Sequence, residues 1–143
     1  MSGRLLPLVA GAALSLHGTF AGAYEPRINY MLQCMGCHTP DGSGEPGRVP
    51  SLKETLVPFA KSAEGRRFLV QVPGASQSTL SDAELAQLLN WMIQDLSVTK
   101  PAGFKHFTAV EVASYRGTPL VNVQAARERL LRSSAITATA TGH

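Results

Sequence analysis

The segment Cys34-Met35-Gly36-Cys37-His38 constrains the fold more than any other feature of the chain. The sequence contains two cysteines, and both lie in this segment. Two thiols three positions apart lie on one helical turn and can add to the two vinyl groups of one porphyrin. The histidine that follows is then placed beneath the iron as an axial ligand. Because C-x-x-C-H is the attachment signature of c-type haem, we predict one covalent haem held by Cys34 and Cys37, with His38 as the proximal iron ligand.

A C-x-x-C pair has three other common uses, and the surrounding sequence bears on each of them. A thioredoxin-like redox pair would follow a strand within a βαβ pattern, and no such pattern surrounds Cys34. A zinc site would need two further soft ligands, whereas the chain beyond His38 offers His106 and His143. A disulfide between the two cysteines is the remaining alternative, because an oxidising compartment permits it.

Residues 1–23 have the pattern of a secretory signal peptide. Arg4 supplies a positive charge, residues 5–16 form an apolar run, and residues 21–23 read Ala-Gly-Ala, an A-x-A cleavage site. We therefore expect the mature chain to begin at Tyr24 and to be periplasmic, since bacteria attach haem c on the outer side of the inner membrane. A retained N-terminal anchor is the alternative, although the run is short for a membrane span.

The length and charge of the mature chain suit one compact domain that does not bind nucleic acid. About 120 residues follow the predicted cleavage site, enough for a single core. The whole chain has 13 Lys and Arg against 10 Asp and Glu, a formal net charge of +3. A charge balance so close to neutral argues against nucleic acid as a partner.

Helical periodicity dominates the sequence, and strand-like alternation is nowhere sustained, so we predict an all-α fold. Residues 39–51 are rich in Gly, Pro and Ser and are expected to form a loop. Capping boxes are predicted at Ser81 with Glu84 and at Thr108 with Glu111. The predicted helices span residues 25–33, 52–59, 62–72, 81–96, 108–115 and 122–132, with Pro73-Gly74 ending the third.

From residue 24 to about residue 98, the chain resembles the monohaem class I c-type cytochromes. The resemblance rests on four features of the sequence: Tyr30 four residues before Cys34, T-P-D-G-S-G after His38, V-P-S-L at residues 49–52, and L-S-D-A-E-L-A-Q-L-L-N-W-M at residues 80–92. It implies a small cytochrome c fold whose first and last core helices cross, with Tyr30 and Trp91 as an aromatic pair near the crossing.

The same resemblance implies how the proximal histidine is oriented. V-P-S-L corresponds to a loop whose carbonyl group accepts a hydrogen bond from Nδ1 of the proximal histidine in that family. Pro50 would therefore orient His38 and belong to the haem-binding residues.

The chain departs from the family at the second axial ligand of the iron. The family places a methionine in the loop before the last core helix, but residues 70–79 contain none, and no methionine lies between Met35 and Met92. Three alternatives stay open. Met92 could supply the sulfur, His106 could supply a second imidazole, or no strong protein ligand is present. In the last case the iron would be five-coordinate, or it would hold water or a weak group such as the side chain of Gln71 or Gln77.

These features divide the chain into four predicted parts: a signal peptide at 1–23, a cytochrome c domain at 24–98, a C-terminal helical extension at 99–132 and a disordered tail at 133–143. Apolar residues of the extension are expected to pack on the core. Its arginines are candidate charges for docking a redox partner, namely Arg116, Arg127, Arg129 and Arg132.

The resemblance implies an electron-transfer protein and not an enzyme. The expected function is that of a periplasmic monohaem carrier, or of the electron-accepting subunit of a periplasmic dehydrogenase. Its partners would be redox proteins such as a dehydrogenase, an oxidase or another cytochrome, and no membrane span is expected after signal cleavage. The alternative is a haem protein whose open distal site binds a small gas ligand.

Overall fold

Helices and the loops that join them make up the whole of the described structure. The computed structural model describes residues 24–140, with side chains for residues 24–133, so the predicted signal peptide lies outside the described residues. Between residues 24 and 140 no strand forms, and an isolated bridge joins Glu45 to Val49 in the predicted 39–51 loop. The prediction of an all-α fold is confirmed. The helices are α1 Pro26–Gln33, α2 Leu56–Ala60, α3 Ala63–Gln71, α4 Pro73–Ser76, α5 Asp82–Asp95, α6 Ala109–Arg116 and α7 Val123–Ala140.

Side-chain caps fix the starts of four helices, including α7, where Asn122 Oδ1 accepts from the Ala125 amide at 2.9 Å. Ser62 accepts a hydrogen bond from the Gly65 amide at the start of α3, because the first amides of a helix have no partner within it. Ser81 and Glu84 form the predicted reciprocal box at α5. At α6 the expected box is half formed, because Thr108 accepts from the Glu111 amide while the Glu111 carboxylate turns to Arg66.

Three element boundaries differ from the prediction. Pro73 does not simply end α3 but also begins the one-turn helix α4, since its fixed φ angle suits a first helical position. Helix α2 begins at Leu56, four residues later than predicted. Helix α7 continues to Ala140, into a segment that the sequence analysis assigns to a disordered tail.

Helices α1 and α5 pack against each other at an aromatic pair. The ring centroids of Tyr30 and Trp91 are 5.6 Å apart at an interplanar angle of 51°. Tyr30 is buried, and its hydroxyl donates to the Thr39 carbonyl at 2.7 Å. The contact fixes the C-terminal end of α1, where Cys34 lies, relative to α5.

The C-terminal extension packs on the same core as the rest of the protein. Phe107, Val112, Ala126 and Leu130 join the hydrophobic cluster built from α1, α2, α3 and α5. Helix α6 contacts α3 and α5, and α7 contacts α2 and α3. Within residues 24–140, none of the helices combines the length and the apolar character that a bilayer crossing requires.

Candidate haem site

A cavity of about 330 Å³ opens next to the C-terminal end of α1, and most of its lining is apolar. The predicted attachment residues Cys34, Cys37 and His38 all line it. Its walls come from α2, α3, α5 and α7 and from two loop segments, chiefly through Pro50, Leu52, Leu56, Phe59, Phe68, Leu69, Gly74, Ala75, Ser78, Leu85, Leu88, Leu89, Met92, Val123 and Arg127.

The two cysteines and the histidine lie on one continuous turn that extends α1. The Cys34 amide donates to the Tyr30 carbonyl at 2.9 Å, and the Cys34 carbonyl accepts from the amides of Cys37 and His38 at 3.1 and 2.9 Å. This turn directs the three side chains into one cavity. The geometry is what attachment of a porphyrin through two neighbouring thiols requires.

The thiols do not have the properties of a redox-active pair. They are not bonded to each other. Burial, with a smaller contribution from Cys37, raises the pKa of Cys34 to about 11. Cys34 is therefore a thiol at neutral pH, whereas thioredoxin-like chemistry needs a thiolate with a lowered pKa.

Nor do the cysteines belong to a zinc site in the part of the chain that the structure describes. No group of three His, Cys, Asp or Glu side chains there is placed to hold a metal ion.

His38 has a neutral imidazole with an unused nitrogen. Burial lowers its pKa, which favours the neutral ring that binds metals. Its buried Nδ1 has no hydrogen-bond partner, although an unpaired buried nitrogen costs about 1–3 kcal/mol. The hydrogen bond to Pro50 that the resemblance implies is thus not formed, although Pro50 lines the same cavity. The Pro50 carbonyl oxygen instead lies against Gly44, where an added Cβ would be 2.8 Å from it.

The residues present fit a haem. A flat apolar macrocycle matches the hydrophobic lining, and the two thiols match its vinyl groups. The His38 imidazole, whose neutral form burial favours, matches its iron. The lining also includes Arg127, whose guanidinium is suited to pairing with a propionate carboxylate. The donor set and the cavity therefore suit a haem attached at Cys34 and Cys37.

The candidate sixth ligands lie in different parts of the molecule. His106 is exposed, stacks on Phe104 with ring centroids 4.8 Å apart, and hydrogen-bonds through Nε2 to Gln94. Among the described lining residues His106, Gln71 and Gln77 are absent, and Gln71 donates to the Tyr115 carbonyl. Met92 is buried and lines the cavity.

The arginines of the extension have separate roles that their sequence clustering does not reveal. Arg116 donates to the carbonyls of Ser76, Ser78 and Leu80 and pairs with Asp82 at 3.1 Å, so it is used inside the molecule. Arg127 lines the cavity. Arg129 and Arg132 are exposed, and Arg132 pairs with Glu128 at 3.9 Å.

Most of the apolar lining was not assigned to the site by the sequence analysis, and neither were Val123 and Arg127 of the extension. No local pattern connects α7 to the C-x-x-C-H segment, because their proximity depends on how the extension folds back over α2 and α3. The available signal was Arg127, a charged residue one helical turn from the apolar Val123 and Leu130 on α7.

Two curated proteins from Thermus thermophilus are similar to this chain. One cytochrome c-552 of this species is 31% identical over 136 residues, which cover 82% of this chain and 92% of the relative. Another cytochrome c-552 of the same species is 32% identical over 116 residues, covering 68% of this chain and 88% of the relative. No family model and no solved structure matches the chain.

The length of the first match indicates that the similarity continues into the C-terminal extension. Residues 24–98 make up little more than half of the chain. A match over 82% of the chain therefore includes part of the sequence beyond residue 98, even if all of residues 1–23 were matched. The relative shares part of the extension as well as the segment that carries the attachment residues.

Proposed function

Because the chain belongs to the c-type cytochromes, which hold haem c covalently and transfer electrons without being enzymes, we propose that it is a periplasmic monohaem electron carrier. The bound haem supplies an iron that gains and loses one electron. The observation that carries the proposal is the turn of Cys34, Cys37 and His38 at the edge of an apolar cavity. One such turn in the sequence supports one haem per chain.

The proposed roles of the residues follow from their positions. Cys34 and Cys37 would hold the porphyrin through thioether bonds, and the neutral His38 would bind the iron. The apolar walls from α2, α3 and α5 exclude water, which limits the reorganisation that accompanies each electron transfer. Arg127 would neutralise a propionate near α7.

The surface position of the attachment turn favours exchange of electrons with another protein. Gly36 and Cys37 are exposed, whereas the opposite walls of the cavity are buried. A partner that docks over this turn would come close to the haem edge. The partner class we propose is another redox protein, such as a dehydrogenase, an oxidase or a second cytochrome, either transiently or as the other subunit of a complex.

Spectroscopy and a redox titration of the full-length chain, produced in a host that matures c-type cytochromes, test the proposal. We expect an alkaline pyridine spectrum of haem c that survives denaturation, one haem per chain, and reversible uptake of one electron. A Cys37→Ser variant should keep at most one covalent bond, and Cys34→Ser with Cys37→Ser should lose covalent haem. A chain that carries no covalent haem under these conditions would overturn the proposal.

Export is tested separately by cell fractionation and N-terminal sequencing. The pattern of Arg4, residues 5–16 and residues 21–23 supports cleavage after Ala23. We expect the protein in the periplasmic fraction with Tyr24 as its first residue. Recovery of the intact N-terminus in the membrane fraction would support a retained anchor instead.

A further inference from the structure

Helix α5 runs across the cavity from one side to the other. Its N-terminus follows directly from residues 74–80, and Gly74, Ala75 and Ser78 of this segment line the cavity. Its C-terminal end lies at the loop that contains Pro50, because the Val98 amide donates to the Lys53 carbonyl at 3.1 Å. The two ends of α5 therefore mark two opposite sides of the cavity.

His38 belongs to the side at the C-terminal end of α5. The chain leads from His38 to Gly42, whose carbonyl accepts from the Leu52 amide at 2.8 Å. A Cβ added to Gly42 would lie 3.3 Å from Leu96 Cδ1, so the same loop packs against the last turn of α5. The segment that contains Gly74, Ala75 and Ser78 faces the cavity from the other side.

Met92 lies on the His38 side of the cavity as well. It is one helical turn before Leu96, about 6 Å along the axis, but about 15 Å from Asp82 at the other end of the helix. The two axial ligands of a haem iron lie on opposite faces of the porphyrin. Met92 is therefore poorly placed to bind the iron opposite His38.

The side opposite His38 presents no histidine, methionine or cysteine side chain among the described residues, and the Gln33 amide, which lines the cavity, donates to the Thr79 hydroxyl at 3.1 Å. Gly74, Ala75 and Val123 have no donor atom in their side chains. The Ser78 hydroxyl donates to the Ala75 carbonyl at 2.9 Å and accepts from Arg116 at 3.1 Å, so it is already paired. Arg127 carries a guanidinium, which stays protonated and donates only.

We infer that the side of the cavity formed by Gly74, Ala75, Ser78 and Val123 is a binding site for a small neutral diatomic ligand of the haem iron, such as carbon monoxide or nitric oxide. The inference rests on the proposed function, since it requires the haem. Small side chains leave room for two atoms, and the Ser78 hydroxyl is already paired. Under the proposed function Arg127 pairs with a propionate, so it does not serve as a donor to a charged ligand of the iron. The site binds its ligand without electron transfer or bond cleavage in that ligand.

The first test is a carbon monoxide titration of the reduced, haem-loaded chain, followed by its optical spectrum. We expect a saturable shift at one ligand per haem in the natural sequence and an equal shift in a Met92→Leu variant. A haem-loaded chain that does not respond to carbon monoxide would overturn the inference alone. So would a response that appears only after Met92→Leu, because Met92 would then be the sixth ligand. Absence of covalent haem would overturn the proposed function, and the inference with it.

The second test places a methionine on the wall that faces His38. An Ala75→Met variant should acquire the weak far-red band of methionine bound to ferric haem, and its affinity for carbon monoxide should fall roughly tenfold or more. The matched control, Ala75→Leu, has a similar volume without sulfur and should lack the band. An Ala75→Met protein that holds haem, lacks the band and binds carbon monoxide like the natural sequence would show that this wall does not face the iron.

Discussion

Arg66 and Glu111 form the most enclosed ion pair among the described residues. Their side chains are 8% and 16% exposed, and Nε and Nη2 of Arg66 each donate to a carboxylate oxygen at 2.6 Å. The guanidinium also donates to the Lys105 carbonyl at 2.7 Å and stacks on Phe107 at 3.8 Å. Because every side of the charge has a partner, removing one partner leaves a charge buried without compensation.

Neutralising Glu111 should therefore destabilise the protein strongly. We expect Glu111→Gln to lower the free energy of unfolding by about 3 kcal/mol, measured by denaturant unfolding at neutral pH. The matched control is Glu45→Gln, which breaks an exposed pair with Arg48 and should cost less than about 0.5 kcal/mol. Equal costs for the two variants would contradict the enclosed character of the Arg66 pair.

The same pair predicts a dependence of stability on pH. The hydrogen bonds from Arg66 hold the pKa of Glu111 below its ordinary value of 4.5. A carboxylate with a lowered pKa stabilises the folded state above its unfolded-state pKa, and this contribution is lost as the pH falls through the folded-state pKa. The difference in stability between the natural chain and Glu111→Gln should therefore shrink below pH 4.5, and a difference that stays constant in acid would contradict this account.

At the scale of elements, Arg116 connects α6 to the segment that precedes α5. Its guanidinium bridges three carbonyls between residues 76 and 80 and the Asp82 carboxylate. This segment has a single turn of helix and few buried side chains of its own. Arg116 therefore holds one wall of the cavity in place.

Loss of this connection should loosen the segment locally. We expect Arg116→Leu to speed hydrogen exchange at the Gln77 and Ser78 amides and to lower the free energy of unfolding by about 1.5–3 kcal/mol. Arg132→Leu, on an arginine that is 66% exposed, is the matched control and should leave exchange there unchanged. Unaltered exchange in both variants would mean that the segment is held by its own turns.

Local sequence patterns predicted most helices. They failed where residues distant in sequence compete for the same hydrogen-bonding groups. The box of Ser81 and Glu84 forms as predicted because no other group reaches it, and it sets the start of α5. The box at Thr108 is incomplete because Arg66, distant in sequence, attracts Glu111 more strongly.

In the candidate site, too, local sequence predicted some features and not others. The attachment turn of Cys34, Cys37 and His38 is contained in five consecutive residues, so its sequence pattern predicts it fully. The contributions of Arg127 and Arg116 depend on the path of the extension, which no local pattern specifies. No local pattern indicates that His38 Nδ1 lacks a partner or that the Pro50 carbonyl lies against Gly44.

At the scale of the whole molecule, the extension is part of one hydrophobic core. Phe107, Val112 and Leu130 are buried in the same cluster as Tyr30. Removing the extension would expose apolar surface and also leave Arg66 without its carboxylate partner. The domain boundary at residue 98 therefore stays a prediction from sequence resemblance. The packing argues against residues 24–98 being stable without the extension.

We expect a chain that ends at residue 98 to lack a cooperative thermal transition, or to melt far below the full chain, when followed by circular dichroism. A chain that ends at Ser133 keeps the Arg66 pair and the buried residues of α6 and α7, and it should melt close to the full-length protein. A shortened chain of residues 24–98 as stable as the full protein would show that the extension contributes little to folding.

Because α7 forms part of the cavity, the order in which the chain emerges affects haem attachment. Val123 and Arg127 close a wall of the cavity, yet they are synthesised long after Cys34 and Cys37. In a chain exported N-terminus first, the thiols reach the attachment machinery outside the membrane while that wall does not yet exist. In a protein refolded without haem the cavity beside the half-buried Cys34 is already walled, although Cys37 stays exposed, so attachment should be more efficient on the chain as it is exported than on refolded protein.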